Sequence, residues 1–249
     1  GAEGYPPRWT AQAAAFRQEL ADTGHARLGR PYGATPRQAY DLFLPTGTPA
    51  GLCTFVHGGY WLKFDGSFWS HLAAGPLARG WAVAVPSYDL CPDVRIADIT
   101  RQIAAAIENA AAEIPGPIVL AGHSAGGHLV ARMCVEGVLP RAIAGRLKRS
   151  VPISPVSDLR PLLKTSMNDQ FRLDLAAAEA ESPVLMQPMG HVDVTVWVGA
   201  DERPVFLDQA RWLVEAWRCP VVVEPARHHF DVIADLTRSS SALTAALLA

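Results

Sequence analysis

Ile118-Val119-Leu120-Ala121-Gly122-His123-Ser124-Ala125-Gly126-Gly127 decides how this chain is read. Four apolar residues in a row, bounded by glycine, form a short buried strand. A serine follows with a glycine two residues to either side, and a helical pattern begins directly after. A serine at a sharp strand-to-helix turn projects its hydroxyl free of the backbone. Side chains two residues away would clash there, so the turn demands glycine. Gly-x-Ser-x-Gly alone arises often by chance; between a buried strand and a helix it is far more specific. Ser124 is therefore the candidate nucleophile.

Outward from that turn, apolar runs alternate with helical segments. The runs are Ala39–Leu44, Leu52–Val56, Trp81–Pro86, Ile118–Gly122, Ser150–Ile153, Asp193–Val198 and Val221–Glu224. Valine and isoleucine enrichment and flanking Gly or Pro mark them as strands. Helices are expected over Phe68–Arg79, Ile96–Glu113, Gly126–Gly137, Val205–Trp217 and His229–Leu248. In the second of these, Ile96, Ile99, Ile103 and Ile107 make one apolar stripe. Such alternation predicts an α/β fold, with a mostly parallel central sheet and helices on both faces. Sites in these folds gather where loops leave the carboxyl ends of strands. The 249 residues suit one domain, 1–249. Residues 1–36 read as an N-terminal helix (Trp9 to Leu20) and an irregular arm. Residues 159–190 lack a strand pattern and read as a short lid insertion.

Composition excludes several function classes. Lys and Arg number 22 against 24 Asp and Glu, a net charge of −2. That balance offers no electrostatic case for nucleic acid or an anionic membrane surface. No run of about 18 apolar residues is free of charges and turn residues, so no membrane span is expected. The start, from Gly1 to Pro7, has neither the basic nor the apolar region of a signal peptide. Cys53, Cys91, Cys134 and Cys219 form no CxxC pair and have no histidine at zinc-ligand spacing. They are expected to be reduced, in a cytoplasmic protein.

The second chemical signal is Thr54-Phe55-Val56-His57-Gly58-Gly59-Tyr60-Trp61, again a strand running into glycines. Acyl transfer passes through a tetrahedral oxyanion, and backbone N–H groups at a glycine turn stabilise it without blocking approach. The N–H groups of Gly59, Tyr60 and Ala125 are the candidate oxyanion hole, and His57 is expected to orient the loop. A serine hydroxyl also needs a base held by a carboxylate. In this architecture the chain order is serine, acid, histidine. Of eight histidines, only His191, His228 and His229 lie well beyond Ser124. His191 precedes a strand, at the wrong end of a parallel sheet. The other two follow Val221–Glu224, where the base belongs, and His229 is taken over His228. The acid should follow Asp193–Val198, where Asp201 and Glu202 compete; spacing alone leaves that choice open.

These residues together resemble α/β-hydrolases of the esterase/lipase type and, within them, the kynurenine formamidase-like group. His57-Gly58-Gly59-Tyr60-Trp61 is similar to that group's oxyanion motif, Ser87–Pro92 to its strand-end signature and His229-Phe230-Asp231 to its histidine loop. The wider esterases carry a third glycine where this chain has Tyr60. The resemblance places the acid three residues beyond Gly199, at Glu202 ahead of Pro204 and Phe206, with Asp201 the runner-up. Many relatives have Asp there. It implies hydrolysis of a small ester or formamide without a metal or organic cofactor. A small-molecule substrate is the expected partner, and a homodimer is left open. Tyr60, Trp61, Phe64 and Trp69 are expected near an aromatic pocket, with Tyr60 and Trp61 touching substrate. The activities implied are an arylformamidase acting on N-formylkynurenine or a carboxylesterase for short or aryl esters. A non-catalytic ligand-binding module is disfavoured, because a binder is free to lose one of the three residues.

Overall fold

A computed structural model describes residues 2–249. Its strands are β1 (Ala26–Pro31), β2 (Ala39–Phe43), β3 (Leu52–Val56), β4 (Ala82–Pro86), β5 (Ile118–His123), β6 (Leu147–Ile153), β7 (Asp193–Val194), β8 (Val196–Gly199) and β9 (Val221–Glu224). Its helices are α1 (Tyr5–Asp22), α2 (Ala74–Ala78), α3 (Ile96–Glu113), α4 (Ala125–Met133), α5 (Arg141–Ala144), α6 (Asn168–Phe171), α7 (Leu175–Ala180), α8 (Pro204–Trp217) and α9 (Ala242–Leu248). Among the described residues, no helix is long and apolar enough to cross a membrane.

The strands form one sheet in the order β1-β2-β4-β3-β5-β6-β8-β9, with β7 also paired to β6. Pairing is antiparallel from β1 to β4 and parallel beyond. This is the mostly parallel sheet that the alternation predicts, in the arrangement that the resemblance to α/β-hydrolases implies. Register then sets the site: Val56 pairs with Gly122, His123 with Ile153, and Ile153 with Trp197. The carboxyl ends of β3, β5, β6 and β8 thus lie side by side, and their loops converge.

Helices cover both faces, so β3, β4 and β5 are buried along their whole length. This is why they read as unbroken apolar runs rather than alternating ones. The isoleucine stripe of α3 packs with Leu129 of α4, Leu52 and Leu120 on one face. On the other, Phe55, Val83, Val119 and Ala121 meet Trp9 of α1, Trp69, and Leu243 and Leu247 of α9.

Three segments depart from the sequence reading. Residues 26–31, expected as part of an irregular arm, form the edge strand β1. Its side chains are mostly exposed, and it is held by backbone pairing to β2 and by Arg27 and Arg30 on Glu113, at 2.7 and 2.9 Å. Nothing there shows apolar periodicity. The helix expected over Phe68–Arg79 is one short helix, α2, preceded by single 3₁₀ turns. That expected over His229–Leu248 is helical only in α9, started by Ser241, whose hydroxyl accepts from Thr244 N–H at 3.1 Å. Upstream, Asp231 accepts from His228 N–H at 2.7 Å and holds the histidine loop open.

Burial lowers the pKa of His57, His71 and His128 to about 4, so each is neutral in the folded chain. The unfolded chain binds protons on the same groups below about 6.5. Stability is therefore full above pH 6.5 and falls as pH drops toward 4, at about 1.4 kcal/mol per pH unit for each group. The urea midpoint should fall steeply between pH 6.5 and 4 and stay flat just above it; a midpoint insensitive to that window would contradict burial of neutral imidazoles.

Candidate active site

Ser124 lies between β5 and α4 with φ 57° and ψ −115°, and its side of the chain is almost closed, at 2% exposure. A non-glycine residue holds positive φ only when its surroundings force it, at a cost of about 1–3 kcal/mol. The forcing contacts are visible. Ser124 N–H donates to Ile153 O at 2.9 Å, and Ser124 O accepts from His128 N–H at 3.0 Å. A Cβ on Gly122 would meet Gly126 O at 2.2 Å, and one on Gly126 would meet Val56 O at 2.0 Å. The glycines on both sides of the serine are thus packing requirements: backbone touches backbone at each.

The loop after β3 presses against this turn. A Cβ on Gly58 would lie 2.8 Å from His123 O and 3.1 Å from Ser124 Cβ. Gly59 has φ 115°, while Tyr60 and Trp61 have φ 55° and 56°. Gly59 O accepts from Leu62 and Lys63 N–H, closing the turn. The N–H groups of Gly59, Tyr60 and Ala125 enter no hydrogen bond with another described residue. His57 is fully buried and stacked between Tyr88, at 4.2 Å, and Trp69, at 5.4 Å. Its Nδ1 bonds Gly58 O at 2.7 Å, and Tyr88 Oη donates to His57 O at 3.0 Å. The histidine is a loop strut, as the sequence reading expects. The Ser87–Pro92 stretch supports it from below: Asp89 accepts from Thr35, Gln38 and Gln102.

Opposite the loop, the turns after β8 and β9 are tied together. Asp201 N–H donates to Arg227 O at 2.8 Å and Ala200 N–H to Glu224 O at 2.9 Å. This brings Glu202 against His229: Oε2 lies 2.7 Å from Nδ1. Its other oxygen, Oε1, accepts from Gly199 N–H at 3.1 Å and from the Ser154 hydroxyl. With the carboxylate as acceptor, Nδ1 carries the proton and Nε2 is free to take one. Asp201 is exposed, and its carboxylate forms no hydrogen bond or ion pair with the ring. His228 is turned away, with Nε2 on Tyr5 Oη at 2.9 Å. The His229 ring is gripped between Phe206, stacked at 3.9 Å, and His123 at 4.5 Å. Burial and the neighbouring His229 push His123 well below the ordinary histidine pKa, so it packs as a neutral ring.

Comparisons with known proteins bear on the family and the fold. Residues 53–218 match the family of proteins with the α/β-hydrolase fold. The chain belongs to the α/β-hydrolase family. The kynurenine formamidase of Salmo salar is 29% identical over 239 residues, which span 89% of this chain and 80% of that protein. The kynurenine formamidase of Drosophila melanogaster is 31% identical, over 79% of this chain and 72% of that one. A solved structure from a Silicibacter species, described as a proposed thioesterase, is 60% identical with a TM-score of 0.98; the match covers all of this chain and 94% of that one. The protein is a hydrolase.

In this hydrolase a cavity of about 450 Å³ runs over Ser124, bounded by Gly58, Gly59, Tyr60, His229 and Phe230. Ser124 and His229 both face it without a hydrogen bond between them; such contacts commonly tighten only around a substrate. Phe64 and Trp69 line the cavity as expected, but Trp61 does not. The sequence reading put Trp61 on the substrate. Its ring is instead wholly buried, edge-on to His128 at 5.1 Å and to Phe171 at 5.7 Å. The two successive positive φ values turn Tyr60 outward, at 38% exposure, and Trp61 into the core. Residues 159–190 fold as short helices and turns rather than strands, and Met167 and Gln170 reach the cavity. Glu181 anchors that segment from beneath, accepting from Thr100 at 2.7 Å and Arg132 at 3.1 Å. Trp9, from a helix with no motif of its own, also lines the cavity.

Sequence reasoning missed Ser154. It follows β6 at φ 46°, its N–H on Trp197 O at 2.7 Å, and its hydroxyl is the only side-chain donor besides His229 on Glu202 among the described residues. Its one signal was position, directly after a strand that flanks β5. Ser154→Ala leaves a buried carboxylate one donor short and should cost about 1.5–3 kcal/mol by urea unfolding. Gly126→Ala should cost about 3 kcal/mol or more, because the new methyl meets backbone that cannot yield. Gly190→Ala, with nothing within 4 Å of its Cβ, should change stability by less than about 0.5 kcal/mol. Equal losses at the two glycines would remove the packing argument.

Proposed function

We propose that the chain is an arylformamidase-like serine hydrolase that acts by two-step acyl transfer, with N-formylkynurenine as its substrate. Ser124 Oγ attacks the carbonyl carbon while His229 Nε2 takes its proton. Glu202 holds the imidazole tautomer and stabilises the imidazolium that forms. The N–H groups of Gly59, Tyr60 and Ala125 hold the oxyanion; losing one such donor typically costs about 3–4 kcal/mol in transition-state stabilisation. The tetrahedral intermediate collapses, the C–N or C–O bond breaks, and the leaving amine or alcohol takes the proton from His229. Water then attacks the acyl-serine, giving its proton to His229, and the carboxylic acid departs as Ser124 recovers its hydrogen.

The observation that carries this reading is the 2.7 Å Glu202–His229 contact on the rim of the cavity that Ser124 lines. Similarity to two kynurenine formamidases supports the formyl substrate. A formyl group is small enough for a serine this enclosed. The aromatic walls suit a flat aryl amine. A second reading, hydrolysis of thioesters or esters, is favoured by the 60% identity to the structure described as a proposed thioesterase.

The test is kcat/KM on N-formylkynurenine, phenyl acetate and a short acyl thioester side by side. A value above about 10⁴ M⁻¹s⁻¹ on the formamide, exceeding the thioester, is expected; turnover of the thioester or ester alone moves the assignment to the second reading. Ser124→Ala should abolish turnover of all three. Glu202→Gln should lower kcat by roughly 10³–10⁴, whereas Asp201→Asn should lower it by less than about tenfold. The reverse ranking would reassign the acid.

A further inference from the structure

His229 is flanked in sequence by two residues that α1 touches. The Tyr5 hydroxyl lies 2.9 Å from His228 Nε2. The Tyr5 ring stands edge-on to the His228 ring at 5.4 Å and stacks on Phe230 at 5.5 Å. The direction of the hydrogen bond follows from its neighbour. Phe230 N–H donates to His228 Nδ1 at 3.1 Å, so Nδ1 carries no hydrogen. In the neutral ring the hydrogen is then on Nε2, and Nε2–H donates to Tyr5 Oη. Every other hydrogen bond of His228, Phe230 and Asp231 among the described residues closes within 228–234. The turn is shut on itself, and the bond to Tyr5 ties it to another element. The helix that carries Tyr5 is fixed in its turn. Trp9, one helical turn on, is buried, with its ring 5.2 Å from Trp69 and 6.2 Å from Phe230. Trp69 stacks on His57, the strut of the loop after β3.

We infer that Tyr5 is a positioning residue for His229, acting through His228 and Phe230. The inference deepens the acyl-transfer reading of Ser124 and His229 and rests on it. No hydrogen bond joins Ser124 to His229 in the structure, so the imidazole must still close on the serine hydroxyl around a substrate. The ring is held at Nδ1 by Glu202 and on its faces by Phe206 and His123. Those contacts set its tilt and tautomer, but they do not hold the backbone on either side of it. Tyr5 does, with a hydrogen bond to the residue before the ring and a stacked contact to the residue after it. A misplacement of about 1 Å in a catalytic group costs on the order of 10²-fold in rate. Tyr5 therefore bears on the reaction without touching the reacting atoms. His228 is only half-buried, so water replaces the lost partner at little cost in stability. What goes with the bond is the fixed position of the turn.

The test pairs Tyr5→Phe, which removes one oxygen and keeps the ring, with His228→Asn, whose amide oxygen reproduces the Nδ1 acceptor while the side chain is too short to reach Tyr5. On phenyl acetate each variant should lower kcat by about tenfold and leave KM within about twofold of the wild type, with the thermal midpoint unchanged. The double variant should fall no further than either single one, because both act through the same bond. An unchanged kcat in Tyr5→Phe, a loss confined to KM, or losses that multiply in the double variant each overturn the inference. A second readout needs no substrate: the proton NMR signal of the hydrogen between Glu202 and His229 Nδ1, assigned by its absence in His229→Gln. It should broaden in Tyr5→Phe as the ring loses its fixed place; a signal unchanged from the wild type overturns the inference. A wild type that turns over no ester, formamide or thioester fails the acyl-transfer reading instead, and the signal then decides the role of Tyr5 by itself.

Discussion

The structure depends on one backbone turn. Ser124 sits at positive φ where three chains of backbone meet: its own strand, the loop after β3 and the end of β6. The turn is not stable in isolation, since a serine in that conformation costs about 1–3 kcal/mol. Sheet register holds it. With Val56 paired to Gly122 and His123 to Ile153, the neighbouring backbones approach so closely that no side chain fits at Gly122 or Gly126. Packing that excludes a methyl group also excludes alternative positions for the hydroxyl.

The strain is shared around the site. Tyr60, Trp61, Phe64 and Ser154 also hold positive φ, and each has a specific restraint. Tyr60 and Trp61 belong to the turn closed on Gly59 O, Phe64 O accepts from Arg37, and Ser154 is pinned to Trp197 O. The buried imidazole of His57, neutral and stacked on Tyr88 and Trp69, stiffens the same loop from the core side. Oriented N–H groups stabilise developing charge only if they need not reorganise, and on the proposed mechanism so rigid a frame serves that end.

The charged half of the site follows different rules. A buried carboxylate is costly unless its lone pairs are occupied. Glu202 meets that condition with Gly199 N–H, the Ser154 hydroxyl and His229 Nδ1. Its partner ring is fixed by contacts on both faces, from Phe206 and His123. Helix α1 supplies Trp9 to the cavity over Ser124 although no motif marks that helix.

How much of this was legible from residues alone follows from the range of each interaction. The strand–turn–helix at Ser124, the glycine loop at Gly58 and Gly59, the parallel sheet and the histidine after the last strand are local patterns, because steric demands at a turn act within a few residues. Strand β1 was not legible: backbone pairing and two ion pairs to Glu113 hold it, and neither leaves an apolar period. The choice between Asp201 and Glu202 was not settled by spacing, since adjacent residues on a turn point apart and only the tie between Asp201 N–H and Arg227 O decides which faces His229. Trp61 was misplaced for a similar reason: two consecutive left-handed residues send neighbours to opposite sides, and sequence does not announce φ. Ser154 comes to Glu202 from the end of a separate strand. The sequence by itself determined the fold class and the residue types the chemistry needs; tertiary packing alone decided which of them meet, because contacts between distant segments depend on sheet register and helix docking that no local pattern encodes.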